Sequence, residues 1–95
     1  KDVRHYILAI VRHTREHTSV QLGVSPRGTL ALYRASQALA ALRGRDYVIP
    51  SDIKHLCPAV LTHRIHISAQ TRLRGRTTAQ IIHEIVESTP APVVS

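Results

Sequence analysis

The segment between Ser25 and Gly44 restricts what this chain can fold into more than any other part of the sequence. Ser25 can accept a hydrogen bond from a free backbone N–H of a first helical turn, and Pro26 suits the first helical position because it has no N–H to leave unpaired. The interior is rich in Ala and Leu, which favour helix, and Gly44 is a typical stop. These signals predict one long helix that begins at Pro26 and ends before Gly44.

Three further helices are predicted from spacing and capping signals. Residues 2–17 place their apolar side chains at steps of three and four, hence on one face, with Arg15 among the charged residues that fall mostly opposite. A third helix opens at Pro50 or Ser51, and Pro58 within it either kinks the helix or divides it. The last opens at Thr77, which has the spacing of a capping box with the glutamine three residues later.

The remaining segments predict little regular structure. Residues 47–49 and 64–67 are expected to be extended and to pair as a short two-stranded sheet, and residues 68–76 are expected to form a loop. Residues 89–95 contain two prolines and are expected to be a flexible tail. The sequence therefore predicts an all-α domain over residues 1–88, a small bundle of four to five helices with at most that short pair of strands.

Length and composition limit the classes of protein that fit. The chain has 95 residues, enough for one small domain, and it lacks Phe, Trp and Met, so its core depends on Leu, Ile, Val and Ala. No apolar run reaches the roughly 20 residues of a membrane-spanning helix, and no signal peptide opens the chain. The start at Lys1 rather than Met favours a fragment or a processed protein. The single cysteine, Cys57, suits a reducing compartment and favours a cytoplasmic location.

The charge balance leaves several kinds of partner open. Lys and Arg number 13 against 6 Asp and Glu, a formal net charge of +7 with His neutral. Such a surplus suits a stand-alone basic module that binds nucleic acid or an acidic protein, and it equally suits the solvated face of a helical domain. Nucleic acid is the less expected partner, because no helix combines Arg, Asn and Gln densely on the exposed face of its N-terminal end.

The motifs of enzyme chemistry in this chain are incomplete. His13-Thr-Arg-Glu16-His17 matches the inverted metalloprotease pattern, but two surface histidines near a helix C-terminus explain it as well, so no metal site is expected. Cys57 would need a positioned base to act as a nucleophile; His55 and His63 are near it in sequence, but a small buried thiol is the expected state. No phosphate-binding glycine loop is present, so this chain alone is not expected to hydrolyse ATP.

Arg27 is the residue whose position asks for an explanation. At the second position of the predicted helix it lies beside the positive end of the helix dipole, which disfavours a positive side chain. A nearby anion would reverse that effect, because a guanidinium and the free N–H groups of a helix start bind phosphate together. A solvated arginine that is merely tolerated explains the position equally, so physical reasoning alone leaves both interpretations open.

The order of several short segments resembles that of a known family. Residues 22–30 read LGVSPRGTL, and the chain continues through ALAALRGRDYVIPSDIK to PAVLTHRI. This order is similar to the C-terminal lid of a MoxR-family AAA+ ATPase, over nearly the whole chain. Such lids commonly carry Gly-Ala-Ser-Pro-Arg-Ala. Val24 and Gly28 depart from that pattern, since alanines are common at both positions, and Gly28 is expected to loosen the first turn around Arg27.

The resemblance implies a role in binding ATP. Arg27 would be the sensor-2 arginine, which reaches from the lid to the γ-phosphate of ATP on a separate α/β core, with Ser25 and Pro26 placing it. The first helix near Tyr6 and Ile7 would pack towards the adenine. ATP and Mg²⁺ are therefore implied in the parent protein, with neither held tightly by this chain.

The resemblance also implies partners for the parent protein. These are the α/β core of the same polypeptide, further copies in a ring, and a von Willebrand factor A-domain protein, with no membrane partner. The parent is expected to be a chaperone-like ATPase that couples hydrolysis to the remodelling of client proteins.

Overall fold

A computed structural model describes residues 2–92, which form five α-helices and one two-stranded antiparallel sheet. The all-α fold with a trace of sheet is confirmed, and none of these helices is long and apolar enough to cross a bilayer. In chain order the elements are α1 (Asp2–Glu16), β1 (Val20–Leu22), α2 (Pro26–Leu42), α3 (Pro50–Leu61), β2 (His66–Ile67), α4 (Ala69–Leu73) and α5 (Thr78–Ser88).

Local signals set the ends of α2 and α5 as predicted. The Ser25 hydroxyl accepts from the N–H of Gly28 at 3.2 Å, and α2 ends before Gly44, whose φ of +78° is the left-handed conformation that glycine adopts readily. Thr77 and Gln80 form the expected capping box, since each side chain accepts from the other residue's backbone N–H. These contacts satisfy N–H groups that have no partner inside their own helix.

Aliphatic side chains from α1, α2, α3 and α5 meet in one core. The predicted apolar face of α1 is buried, and Leu32 of α2 and Ile53 of α3 are fully enclosed. Helix α5 contributes a run of isoleucines and a valine: Ile81, Ile82, Ile85 and Val86. A core of branched aliphatic residues packs through many close contacts, each small, so the helices must approach closely.

The predicted strand pairing was wrong. Strand β2 pairs with β1, with Val20 opposite Ile67, and not with residues 47–49. Ile49 is instead the N-cap of α3, and its N–H donates to Asp52 Oδ2 at 3.0 Å. Because that donor is committed to capping a helix, the segment is not free to continue as a strand.

Two other segments contain more helix than the sequence predicted, and the loop expected over residues 68–76 was wrong in part. The loop expected over residues 68–76 contains α4, which begins after Ser68, whose hydroxyl accepts from the N–H of Thr71, and ends before Gly75 with φ of +82°. Pro58 does not divide α3, which continues to Leu61. Pro58 and Lys54, the residue one turn earlier, are both exposed, so the proline lies on the solvent side of α3.

The first residues of the expected tail contact the rest of the domain. Thr89 is 3% exposed, and its hydroxyl donates to the carbonyl of Ile85 at 2.7 Å, while Ala91 packs against the core. Residues 93–95 lie outside the described residues, so a flexible tail stays a prediction.

A buried carboxylate joins α2 to α3. Asp52 is fully enclosed, and Arg45 donates to both of its oxygens at 2.7 and 2.8 Å, while Arg43 donates to Oδ1 at 3.1 Å. Both arginines follow the end of α2, and Asp52 lies in the first turn of α3, where a negative charge also suits the helix dipole. This ion cluster therefore fixes how the two helices meet.

Replacement of Asp52 tests that cluster. Asp52→Asn is expected to lower the free energy of unfolding by about 2–3 kcal/mol, because an amide cannot satisfy both guanidinium groups. The loss stays below that of a fully buried pair because Arg43 and Arg45 reach solvent. Urea unfolding followed by circular dichroism measures it. Asp46→Asn is the matched control, since Asp46 is exposed and has no ion pair within residues 2–92; equal losses in both variants would contradict the role.

The acid dependence of stability gives a second test. The hydrogen bonds from Arg45 hold the pKa of Asp52 well below its usual value. The carboxylate therefore contributes stability that is present above its unfolded pKa of about 3.9 and is lost as pH falls below it. Urea unfolding from pH 7 to pH 2 is expected to show a steep loss of stability below about pH 4 in the unmodified chain and a shallower one in Asp52→Asn. Identical slopes would exclude this carboxylate as a source of the acid sensitivity.

Candidate functional site

The start of α2 presents Arg27 to solvent. Arg27 is the second residue of the helix and is exposed, and its guanidinium forms no hydrogen bond or ion pair with any side chain or backbone group of residues 3–92. The Ser25 hydroxyl is already engaged with the N–H of Gly28, and the Ser25 carbonyl accepts from the N–H of Thr29 at 3.0 Å. Ser25 and Pro26 thus shape the helix start, and the guanidinium is left available for a partner outside this chain.

An apolar groove of about 270 Å³ runs beside this helix start, between α1 and α2. Pro26 and Ile7 both line it, so the structure brings together two of the residues singled out from sequence. Leu8 and Leu30, 51% and 45% exposed, form its open sides. The groove offers a surface for a flat apolar group close to Arg27.

Tyr6 lies elsewhere. Its side chain is 2% exposed and belongs to the core, and burial raises the pKa of its hydroxyl to about 12. That hydroxyl has no hydrogen-bond partner among residues 2–92. Tyr6 therefore supports α1 from inside the domain, next to the residue that lines the groove.

The loop before α2 is held by the last turn of α1. The hydroxyl of Thr14 accepts from the N–H of Val24 at 3.1 Å, and Arg15 donates to the Val24 carbonyl from Nε at 3.3 Å and from Nη2 at 3.1 Å. Sequence reasoning missed both contacts, since it placed Arg15 on the solvent face. The available signal was Thr14, a hydroxyl on an otherwise apolar stripe, because a buried hydroxyl needs a partner.

Val24 and Gly28 pack against each other. A Cβ atom added at Gly28 would lie 2.8 Å from Cγ1 of Val24 and 3.2 Å from Cδ of Arg64. Val24 is 1% exposed and β-branched, so it cannot easily turn away. The two departures from the lid pattern are therefore linked: a larger residue at 24 occupies the space that an alanine at 28 would need.

The histidines of the metalloprotease-like motif connect α1 to α5 and the residues after it. Because the Thr89 hydroxyl donates to Ile85, His13 Nδ1 is the donor in its 2.7 Å hydrogen bond to Thr89. His17 Nδ1 accepts from the backbone N–H of Ser19 at 3.0 Å, and its Nε2 lies 3.5 Å from Glu84. Burial, with the nearby Arg76 charge, lowers the pKa of His17. Among the side chains of residues 3–92, no three of the metal-binding types come together.

Cys57 is an enclosed thiol. It is fully buried in the core, and burial alone raises its pKa to about 12. A thiol that does not ionise near neutral pH is a poor nucleophile, so this side chain acts as a small apolar group.

Comparison with known proteins points to one family. A family model described as AAA lid domain matches residues 12–85. The chain is 47% identical over 92 residues to the Bacillus subtilis protein YeaC, which covers 97% of this chain and 29% of YeaC. It is 34% identical over 76 residues to Chaperone MoxR1 of Mycobacterium tuberculosis, which covers 80% of this chain and 20% of that protein.

A solved structure agrees with these matches. The crystal structure of a proposed ATPase from Cytophaga hutchinsonii superposes with a TM-score of 0.89 at 29% identity, over 98% of this chain and 31% of the other. The chain thus spans less than a third of the length of each of these three proteins.

The contact between Val24 and Gly28 yields a double-mutant test. Gly28→Ala alone is expected to lower the free energy of unfolding by about 1–2 kcal/mol, because crowding outweighs the helix propensity of alanine. Val24→Ala alone leaves a cavity and is expected to cost about 1–3 kcal/mol. The double variant has alanine at both positions. Its loss in free energy of unfolding is expected to be at least about 1 kcal/mol smaller than the sum of the two single losses. Additive losses in urea unfolding would mean that the two sites are independent.

Proposed function

The chain belongs to the AAA lid domain family, within the MoxR type of ATPase, and on that basis we propose that it closes over ATP held by a separate α/β core, with Arg27 as its sensor-2 arginine. The observation that carries the proposal is the free guanidinium at the second position of α2. A charge that the helix dipole disfavours is explained when an anion such as a terminal phosphate reaches the same place.

The residues around Arg27 fit this role. Its charge is not neutralised by any acidic side chain of residues 3–92, so it is available to the phosphates. The groove lined by Pro26 and Ile7 would accept the adenine ring, with Tyr6 supporting Ile7 from the core. Bound ATP, with Mg²⁺, supplies the phosphoryl group that is transferred to water.

Arg27 acts on charge and on domain position. Its guanidinium stabilises the negative charge that the transferring phosphoryl group carries in the transition state. Because Arg27 belongs to the lid and the phosphates to the core, the same contact makes the position of the lid depend on which nucleotide is bound. Coupling of this kind converts hydrolysis into domain movement.

The wider proposal concerns the parent protein. The parent is proposed to be a cytoplasmic, ring-forming ATPase that remodels client proteins beside a von Willebrand factor A-domain protein. One relative is named a chaperone, which supports the remodelling part of this proposal. Membership of the lid family favours this role over a stand-alone module that binds nucleic acid or an acidic protein.

Replacement of Arg27 in the full-length protein tests the proposal. Arg27→Ala is expected to lower the turnover of ATP at least ten-fold, which corresponds to about 1.4 kcal/mol of lost transition-state stabilisation. Steady-state release of phosphate measures it.

The matched control is Arg34→Ala. Arg34 lies on the same helix, is exposed and has no ion pair within residues 2–92, so its loss removes the same charge without touching the site. Turnover is expected to stay within about two-fold of the unmodified protein. Unchanged turnover in Arg27→Ala, or an equal fall in both variants, would remove the sensor role.

A further inference from the structure

We propose that Arg15 is a positioning residue that determines where Arg27 points; this inference rests on the proposed function. The guanidinium of Arg27 has no partner among residues 3–92, so its direction depends on the backbone from which it emerges. That backbone enters α2 through Val24, and Arg15 donates two hydrogen bonds to the Val24 carbonyl, three residues before Arg27. Arg15 therefore fixes the point from which the helix start projects.

The contact is built in a way that resists movement. Thr14, fully buried, accepts from the Val24 N–H, while its own proton is donated to the carbonyl of Val11. Both polar groups of Val24 are thus paired with the last turn of α1. Movement of the loop would break a charge-assisted hydrogen bond and leave buried groups unpaired.

Gly23 provides an independent sign that the loop and α1 must touch. A Cβ atom added there would lie 2.8 Å from Cγ of Arg15 and 3.0 Å from its backbone N and Cα. Any side chain at this position would push the loop away from α1 and lengthen the bonds to Val24. Glycine at position 23 therefore allows the loop to lie against Arg15 of α1.

The side chain of Arg15 is committed to this loop. Within residues 3–92 it forms no ion pair, although Glu16 is its neighbour in sequence, and its hydrogen bonds go to a neutral carbonyl. An exposed arginine whose donors are directed at one backbone carbonyl restrains the chain there at little cost in buried charge. The residue thus acts through the backbone and not by contact with nucleotide.

The test combines kinetics and hydrogen exchange in the full-length protein. Arg15→Ala is expected to lower kcat by roughly three- to ten-fold with little change in KM, because a misplaced Arg27 weakens transition-state contacts. Arg15→Lys keeps a donor of similar reach and is expected to recover most of the loss. Gly23→Ala is expected to lower kcat similarly without removing a charge. Arg12→Ala is the matched control and should leave kcat unchanged, because Arg12 is an exposed arginine of α1 without an ion pair in residues 3–92.

Two further measurements separate positioning from a general structural effect. In the Arg27→Ala background, Arg15→Ala is expected to cause no additional fall in kcat, since it acts only through Arg27. Hydrogen–deuterium exchange of peptides that span residues 22–30 is expected to rise in Arg15→Ala and not in Arg12→Ala.

The outcomes distinguish this inference from the proposed function. An unchanged exchange rate in Arg15→Ala, or a full additional fall in kcat in the double variant, would overturn the positioning role while leaving Arg27 as sensor 2. If Arg27→Ala has normal turnover, the proposed function fails, and with it the claim that Arg15 positions a sensor, whatever the exchange shows.

Discussion

A fully buried carboxylate needs its partners in one arrangement, and Asp52 imposes that requirement on the connection between α2 and α3. An aliphatic core can be packed in several ways at similar energy, because its contacts are numerous and weakly directional. Ion pairs and hydrogen bonds to a buried charge are directional, and every wrong arrangement leaves a charge without a partner. The two arginines after α2 therefore select the helix geometry in which the core closes.

The distance along the chain between contacting residues explains which parts of the fold could be predicted from sequence. Helix ends depend on contacts between residues three or four apart, so Ser25, Gly44 and Thr77 marked them correctly. Helix α4 had a local signal of the same kind in Ser68, which was overlooked among the surrounding arginines. The pairing of β1 with β2 joins segments more than forty residues apart, and no sequence pattern within either strand indicates which segment it pairs with.

The candidate site divides in a similar way. The place of Arg27 on a helix start followed from local rules, whereas its role required resemblance to a family, because physical reasoning left a solvated arginine equally acceptable. What the structure adds is the support behind it: Thr14 and Arg15 reach the loop from a helix that ends several residues earlier. Hydrogen bonds to the backbone N–H and carbonyl of Val24 demand no particular residue at that position, so the sequence signal for this support lies on α1 alone, in the buried hydroxyl of Thr14.

The contact between Val24 and Gly28 also has a consequence for how lids of this type can diverge. A lineage that carries alanine at both positions can reach Val24 and Gly28 by two orders of substitution. Either single change gives an intermediate that is less stable than the pair of alanines or the present pair, because valine beside alanine is crowded and alanine beside glycine leaves space unfilled. For a protein just above its stability threshold, either order is therefore tolerated only when other contacts supply a margin. A single methyl contact thus couples two positions whose substitutions would otherwise be independent.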